Sequence, residues 1–181
     1  MNIESLYEQT LVVRSQIGDT EAFAELFSIY NPRMAAFVER MTRGLPDQVV
    51  DFLQEIWILI FHQLPRLRDP ALFRSWAFRI ARDRIFREYR KRRLNLISLH
   101  EIDDSSIQAS DISFSRDEKE QMDRCLTALS VEHREVLLLR FFEDLSYEEI
   151  GRITGVTVGT VRSRVHYAKQ ALKKLWQGKL I

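Results

Sequence analysis

Apolar residues recur at steps of three and four through most of the chain, the spacing of helices with one buried face. Phe23, Leu26, Phe27 and Tyr30 form the first clear series, after Gly18-Asp19-Thr20, where Thr20 is the expected N-cap. Asn31-Pro32 separates it from a second segment with Met34, Phe37, Val38 and Met41, and Gly44-Leu45-Pro46 breaks the chain again. A third helix is expected from near Asp47 to Pro65. Its apolar set, Val50, Leu53, Ile56, Trp57, Ile60 and Phe61, is wide enough for the core of a bundle. Beyond the turn Arg68-Asp69-Pro70, a fourth helix is expected from about Ala71 to Arg93, with Phe73, Trp76, Phe78, Ile80, Ala81, Ile85, Phe86 and Tyr89 along it.

The helical period is lost over 94–116, where serine and aspartate give a linker composition. It returns from Asp117, with Met122, Cys125, Leu126 and Leu129, then Val136, Leu137, Leu139 and Phe141. Ser146 and Glu149 have the spacing of a capping box at the start of a helix from Tyr147 to Thr154. Gly155 stands where that helix must stop with positive φ, and Thr157 can cap a second helix from Val158 to about Trp176. Two helices joined by a tight glycine turn make a helix-turn-helix. Val161, Val165, Ala168, Leu172 and Leu175 mark the buried stripe of the second helix, whose other face carries Thr160, Ser163, His166, Tyr167 and Gln170 beside Arg162 and Arg164. The fold class is therefore all-α: two small helical domains, 1–93 and 117–181, joined by a flexible linker, the C-terminal domain a helix-turn-helix.

Charge sharpens the picture. The net charge of +1 over 181 residues hides strong segregation: net −4 over 1–73, +7 over 74–93, −9 over 94–149 and +7 over 150–181, the last block without an acidic residue. Two basic blocks with interleaved aromatics point to a polyanion held at two places. As a coil, the linker would span about 25 to 30 Å, and fully extended up to about 75 to 80 Å, enough to place two modules on different turns of one duplex.

Other chemistries find little support. One cysteine, Cys125, excludes an intramolecular disulfide framework and a multi-cysteine zinc site, and no P-loop, HExxH or GxSxG string occurs. His62, His100, His133 and His166 are dispersed, so no catalytic residue, metal or cofactor is expected. No apolar run approaches the roughly 18 to 20 residues that cross a bilayer, and Met1-Asn2-Ile3-Glu4 lacks the order of a signal peptide, so the expected compartment is the cytoplasm, without membrane insertion.

Several strings resemble one family. Leu145-Ser146-Tyr147-Glu148-Glu149-Ile150-Gly151 followed by Gly159-Thr160-Val161-Arg162-Ser163-Arg164 is similar to the C-terminal domain of bacterial RNA polymerase sigma factors of the extracytoplasmic-function (ECF) group, in the sigma-70 family. Asp51-Phe52-Leu53-Gln54-Glu55-Ile56-Trp57 resembles their polymerase-binding helix, and Trp76 through Ile80-Ala81-Arg82-Asp83 to Arg90-Lys91-Arg92-Arg93 resembles their promoter-melting helix. The resemblance runs from about Gly18 to Trp176 and implies a role for each block. Asp51, Gln54 and Glu55 would dock on the clamp helices of the largest subunit of core RNA polymerase. The loop Leu67 to Phe73, with Arg68 and Phe73, would hold a base flipped from the non-template strand, supported by Trp76. Arg79, Arg82, Arg84, Arg87, Arg90, Lys91, Arg92 and Arg93 would follow the DNA backbone, with Asp83 where relatives often carry Asn. Thr160, Arg162, Ser163, Arg164, His166 and Tyr167 would meet the more distant promoter element. An anti-sigma factor is an implied partner beside polymerase and promoter DNA. The competing reading is a free-standing helix-turn-helix regulator that binds duplex DNA without polymerase.

Overall fold

The computed structural model describes residues 3–42, 49–99 and 118–178, and the side chains of 93–99 and 118–119 lie outside that description. The described residues form two compact units, and every regular element among them is helical.

The first unit contains α1 (Ile3–Gln16), α2 (Thr20–Met41), α3 (Val49–Gln63) and the start of α4, a helix that runs from Phe73 to Leu99 and belongs to the second unit from Phe86 onward. Gly18, at φ +95°, turns the chain from α1 into α2 in a region that a Cβ would strain. Asp19, rather than the expected Thr20, caps α2: its Oδ1 accepts from the amides of Glu21 and Ala22, both at 3.0 Å. The Ala22 amide, together with the Arg14 guanidinium 2.7 Å away, holds the Asp19 carboxyl below its ordinary range.

The break expected at Asn31-Pro32 does not occur, and Pro32 lies inside α2. Proline in a helix interior costs about 3 kcal/mol. Against this, Tyr30, Met34, Phe37 and Val38 are at most 2% exposed on the face that spans the proline. Each such side chain gains about 1.5 to 3 kcal/mol by burial, so the sum outweighs the proline penalty.

The wide apolar set of α3 divides between two faces. Phe52, Ile56, Trp57 and Ile60 are buried, while Val50, Ile58 and Phe61 are 75%, 50% and 52% exposed. The helix is thus a core element on one face only, narrower than its wide apolar set implied. Edge-on ring pairs Tyr30–Phe73 at 5.2 Å and Phe37–Phe78 at 5.4 Å join α2 to α4 in the core. The helix α4 begins after a short turn, Pro70–Leu72, which Asp69 caps through Ala71 N. It continues past the expected end at Arg93 to Leu99, so helical backbone enters the stretch read as linker; residues 100–117 lie outside the description.

Besides α4 from Phe86 onward, the second unit comprises α5 (Glu118–Thr127), α6 (Val131–Leu137), a π turn over Leu138–Phe142, α7 (Tyr147–Thr154) as far as Gly151, and α8 (Val158–Gln177). Arg134 on α6 is only 4% exposed. Its Nε donates to Leu126 O at 2.9 Å, and its Nη2 to Thr127 O at 2.5 Å and Leu129 O at 3.3 Å. One guanidinium thereby ties together three carbonyls at and just beyond the end of α5, one of which, Leu126 O, also accepts from Leu129 N at 3.2 Å. Cys125 is buried, as its place on the apolar stripe implied.

Candidate nucleic-acid interface

The helix-turn-helix forms as its local signals require. Glu149 Oε2 accepts from Ser146 N and Ser146 Oγ, each at 2.8 Å, and Ser146 Oγ accepts from Glu149 N at 3.2 Å, which completes the capping box. Gly155 stops α7 at φ +74°. Gly151 is needed for space: a Cβ there would meet Val156 O at 3.0 Å and Val161 Cγ2 at 3.9 Å. Thr157 caps α8 by accepting from Thr160 N at 3.3 Å.

Val161, Val165 and Ala168 bury one face of α8, while Arg162, Ser163, His166 and Tyr167 are exposed and Thr160 and Arg164 half-buried. Ser163 gives its hydroxyl proton to Thr160 O at 3.0 Å and keeps its oxygen as an acceptor. The Thr160 hydroxyl lies 3.0 Å from that of Thr157, and His166 Nε2 lies 3.0 Å from Gln170 Nε2. A face of guanidinium, hydroxyl, imidazole and phenol groups matches both base edges and phosphates in a major groove.

In the first unit the loop before α4 is short and fixed at its exit. Asp69 Oδ1 accepts from Ala71 N at 3.0 Å, Leu72 N donates to Asp69 O at 3.0 Å, and Arg68 and Ala71 are exposed. Phe73, expected among the residues that hold a base, is 0% exposed with its ring against Tyr30 and Trp76. A ring so enclosed can support the loop but cannot stack on a base. Trp76 is half-buried beside it, with ring centres 6.0 Å apart.

Along α4, Arg79, Arg87, Arg90 and Lys91 are exposed. Asp83 carries two arginines of its own helix, Arg82 at 3.0 Å and Arg79 at 3.9 Å, so its charge is spent locally. Arg92 pairs with Glu88 at 3.3 Å, and the side chain of Arg93 lies outside the description. Arg84 differs from the expectation that it follows a DNA backbone. Its guanidinium bonds both oxygens of Glu55 and sits 4.5 Å above the Phe52 ring, with its side chain 14% exposed. Glu55, expected to meet a partner and exposed like Asp51 and Gln54, therefore already has a cation.

Sequence reasoning missed an apolar groove of about 630 Å³ between α2 and α3. Phe23, Phe27, Val50, Ile58 and Phe61 line it with Gln54, and Trp57 at its wall donates to Asn31 Oδ1 at 3.0 Å. The surplus width of the α3 stripe was the available signal. Among the described residues no helix is long and apolar enough to cross a membrane, and no cluster of three or more His, Cys, Asp or Glu could hold a metal ion.

The family profile for Sigma-70 region 2 matches residues 26–94, and that for Sigma-70, region 4 matches residues 119–172. The ECF RNA polymerase sigma-E factor of Escherichia coli (strain K12) is 29% identical over 181 residues, with 93% of this chain and 94% of that protein covered. The ECF RNA polymerase sigma factor SigW of Bacillus subtilis (strain 168) is 26% identical over 169 residues, covering 87% of this chain and 90% of SigW. Two solved structures share the fold. The sigma factor RpoE in complex with the anti-sigma factor NepR from Bartonella quintana has a TM-score of 0.72 at 22% identity, over 86% of this chain and 96% of that one. CnrH in complex with the cytosolic domain of CnrY has a TM-score of 0.71 at 23% identity, over 95% and 98%.

Proposed function

The chain belongs to the sigma-70 family, in its ECF group, and we propose that it divides a sigma factor's work among the residues described above. It binds core RNA polymerase and directs promoter recognition and DNA melting as a non-enzymatic initiation factor. The carrying observation is the ordered pair of region 2 and region 4 in one chain. A free-standing regulator would give the basic, aromatic α4 no task.

Domain 1–93 takes polymerase and the upstream melted element, 94–116 serves as connector, and 117–181 takes the distant element. Asp51 and Gln54 form the polar edge of the polymerase-docking surface, and the apolar groove that Gln54 helps to line is its floor. Glu55 contributes through its hold on Arg84. Arg68 and the loop up to Leu72 receive the flipped base, with Phe73 and Trp76 beneath. Arg79, Arg82, Arg87, Arg90, Lys91, Arg92 and Arg93 track the strand. Arg162, Ser163, His166 and Tyr167 read bases, with Thr160 and Arg164 near phosphate. An anti-sigma factor that covers the groove would hold the protein idle, and its place of work is the cytoplasm.

The test is titration of core polymerase with the wild-type protein, the Asp51→Ala/Gln54→Ala double variant and the triple variant that adds Glu55→Ala. Affinity should fall in both variants with the fold intact. Wild-type affinity in both would refute the docking assignment.

A further inference from the structure

Gln16, the last residue of α1, reaches across the first unit to the strand of chain that precedes the base-holding loop. Its side-chain nitrogen donates to Leu64 O at 3.0 Å and to Leu67 O at 2.6 Å. Both partners are carbonyls, so only the donor end of the amide can face them. The same segment is closed internally by Leu67 N on Leu64 O at 3.0 Å, which ends a short turn over Leu64–Arg66. Leu64 is buried and Leu67 half-buried, and the next residues, Arg68 and Asp69, emerge into solvent.

The loop thus has two anchors. At its exit stand the Asp69 cap and the enclosed Phe73 ring; at its entry the Gln16 amide grips the two carbonyls between which the chain leaves the core. From the reading of this loop as the base receptor, we infer that Gln16 is a positioning residue for base capture. It touches no DNA. It fixes the direction in which Arg68 and Asp69 leave the core, so that the receptor exists before the base arrives and little loop freedom is lost on capture. The loop is too short to absorb a shift at its entry. Without the amide, the Leu67 carbonyl turns to water and the loop samples other exits.

The test uses the full chain assembled with core polymerase. The probe is single-stranded DNA chosen by the wild-type holoenzyme from a randomised pool, compared with the same strand made abasic at the flipped position. The readout is the ratio of the two dissociation constants. Gln16→Met keeps the length and loses the donor; Gln16→Lys keeps a donor at the tip. Gln16→Met should lower the ratio roughly tenfold, about what one or two hydrogen bonds supply. Gln16→Lys should retain most of the ratio, and both should keep the wild-type core affinity and melting temperature. Arg68→Ala serves as the loop control. If Arg68→Ala lowers the ratio and Gln16→Met does not, the positioning role is wrong and the loop reading stands. If neither Arg68→Ala nor the abasic site changes binding, the loop reading fails and the inference falls with it. A loss of melting temperature in Gln16→Met, with no rescue by Gln16→Lys, would make Gln16 a residue of the fold alone and overturn the proposal.

Discussion

Replacing Arg134 with Met should unmake much of the second unit, although the change conserves bulk. The guanidinium is 4% exposed and serves three carbonyls, those of Leu126, Thr127 and Leu129. A hydrogen bond from a charged donor contributes about 1.5 to 3 kcal/mol, and three would give roughly 4.5 to 9 if they were additive. They are not additive, because the last carbonyls of a helix can turn partly to water. A loss of about 3 to 5 kcal/mol is the fair expectation, since each buried carbonyl left without a donor costs about 1 to 3 kcal/mol and some of the three can turn to water. A domain of about 60 residues has only ~3 to 9 kcal/mol of stability in all. Amide exchange in α6 and α8 of the full-length protein, followed through a urea series, reads this directly. Arg134→Lys should fall between, since an ammonium is a single point donor that cannot fork across the same carbonyls. A loss below about 1 kcal/mol in Arg134→Met would show that water replaces the guanidinium freely and would refute the reasoning.

Three further outcomes are expected. Gly155→Ala, at φ +74° with nothing within 4 Å of the added carbon, should cost about 1 to 2 kcal/mol of backbone strain alone in urea unfolding of the helix-turn-helix; a neutral result would mean that the turn relaxes. Asp19 has a folded pKa below its ordinary value, so its stabilisation is complete above the unfolded pKa and fades as pH falls through the folded one. Asp19→Asn keeps a capping oxygen but no charge, so an acid titration of first-unit stability should be shallower below about pH 4; an identical slope would count against the pairing with Arg14. Substitutions at Arg162, Ser163, His166 or Tyr167 should change base preference by about 1 to 3 kcal/mol per contact, whereas neutralising Arg90, Lys91, Arg92 or Arg93 should weaken all sequences and flatten the salt slope by about one unit. Holoenzyme binding over a salt series checks both, and exchanged behaviours would place the two helices wrongly on DNA.

What the sequence disclosed follows the range of the forces involved. The capping box, Gly155 and the Thr157 cap act within four residues, so Ser146 to Val158 was legible from spacing alone. Pro32 misled because a local rule was weighed without the burial of Tyr30, Met34 and Phe37 on the face it interrupts. The α4 helix outran its expected end for a related reason: the Arg90 to Arg93 cluster gave no stop signal. Partners distant in sequence were invisible. Glu55 and Arg84 are 29 residues apart, and Gln16 and Leu67 are 51 apart. Arg134 carried no signal in the sequence, because nothing local tells that three carbonyls converge on it. The exposed half of α3 was visible as excess width, yet width alone does not say which side faces inward.

The missing side chain at Gly151 sets the aim of α8, the helix proposed to read bases. A methyl group there would stand 3.0 Å from Val156 O, and relief requires a few tenths of an ångström between α7 and the start of α8. The helix α8 has 20 residues and is therefore about 30 Å long. A wedge of about 0.4 Å acting on an arm of about 6 Å tilts it by about 4°, or about 2 Å at the far end. Hydrogen bonds to base edges weaken well inside that distance. On the proposed placement of α8, the angle at which this protein meets a promoter is thus geared to one absent carbon atom.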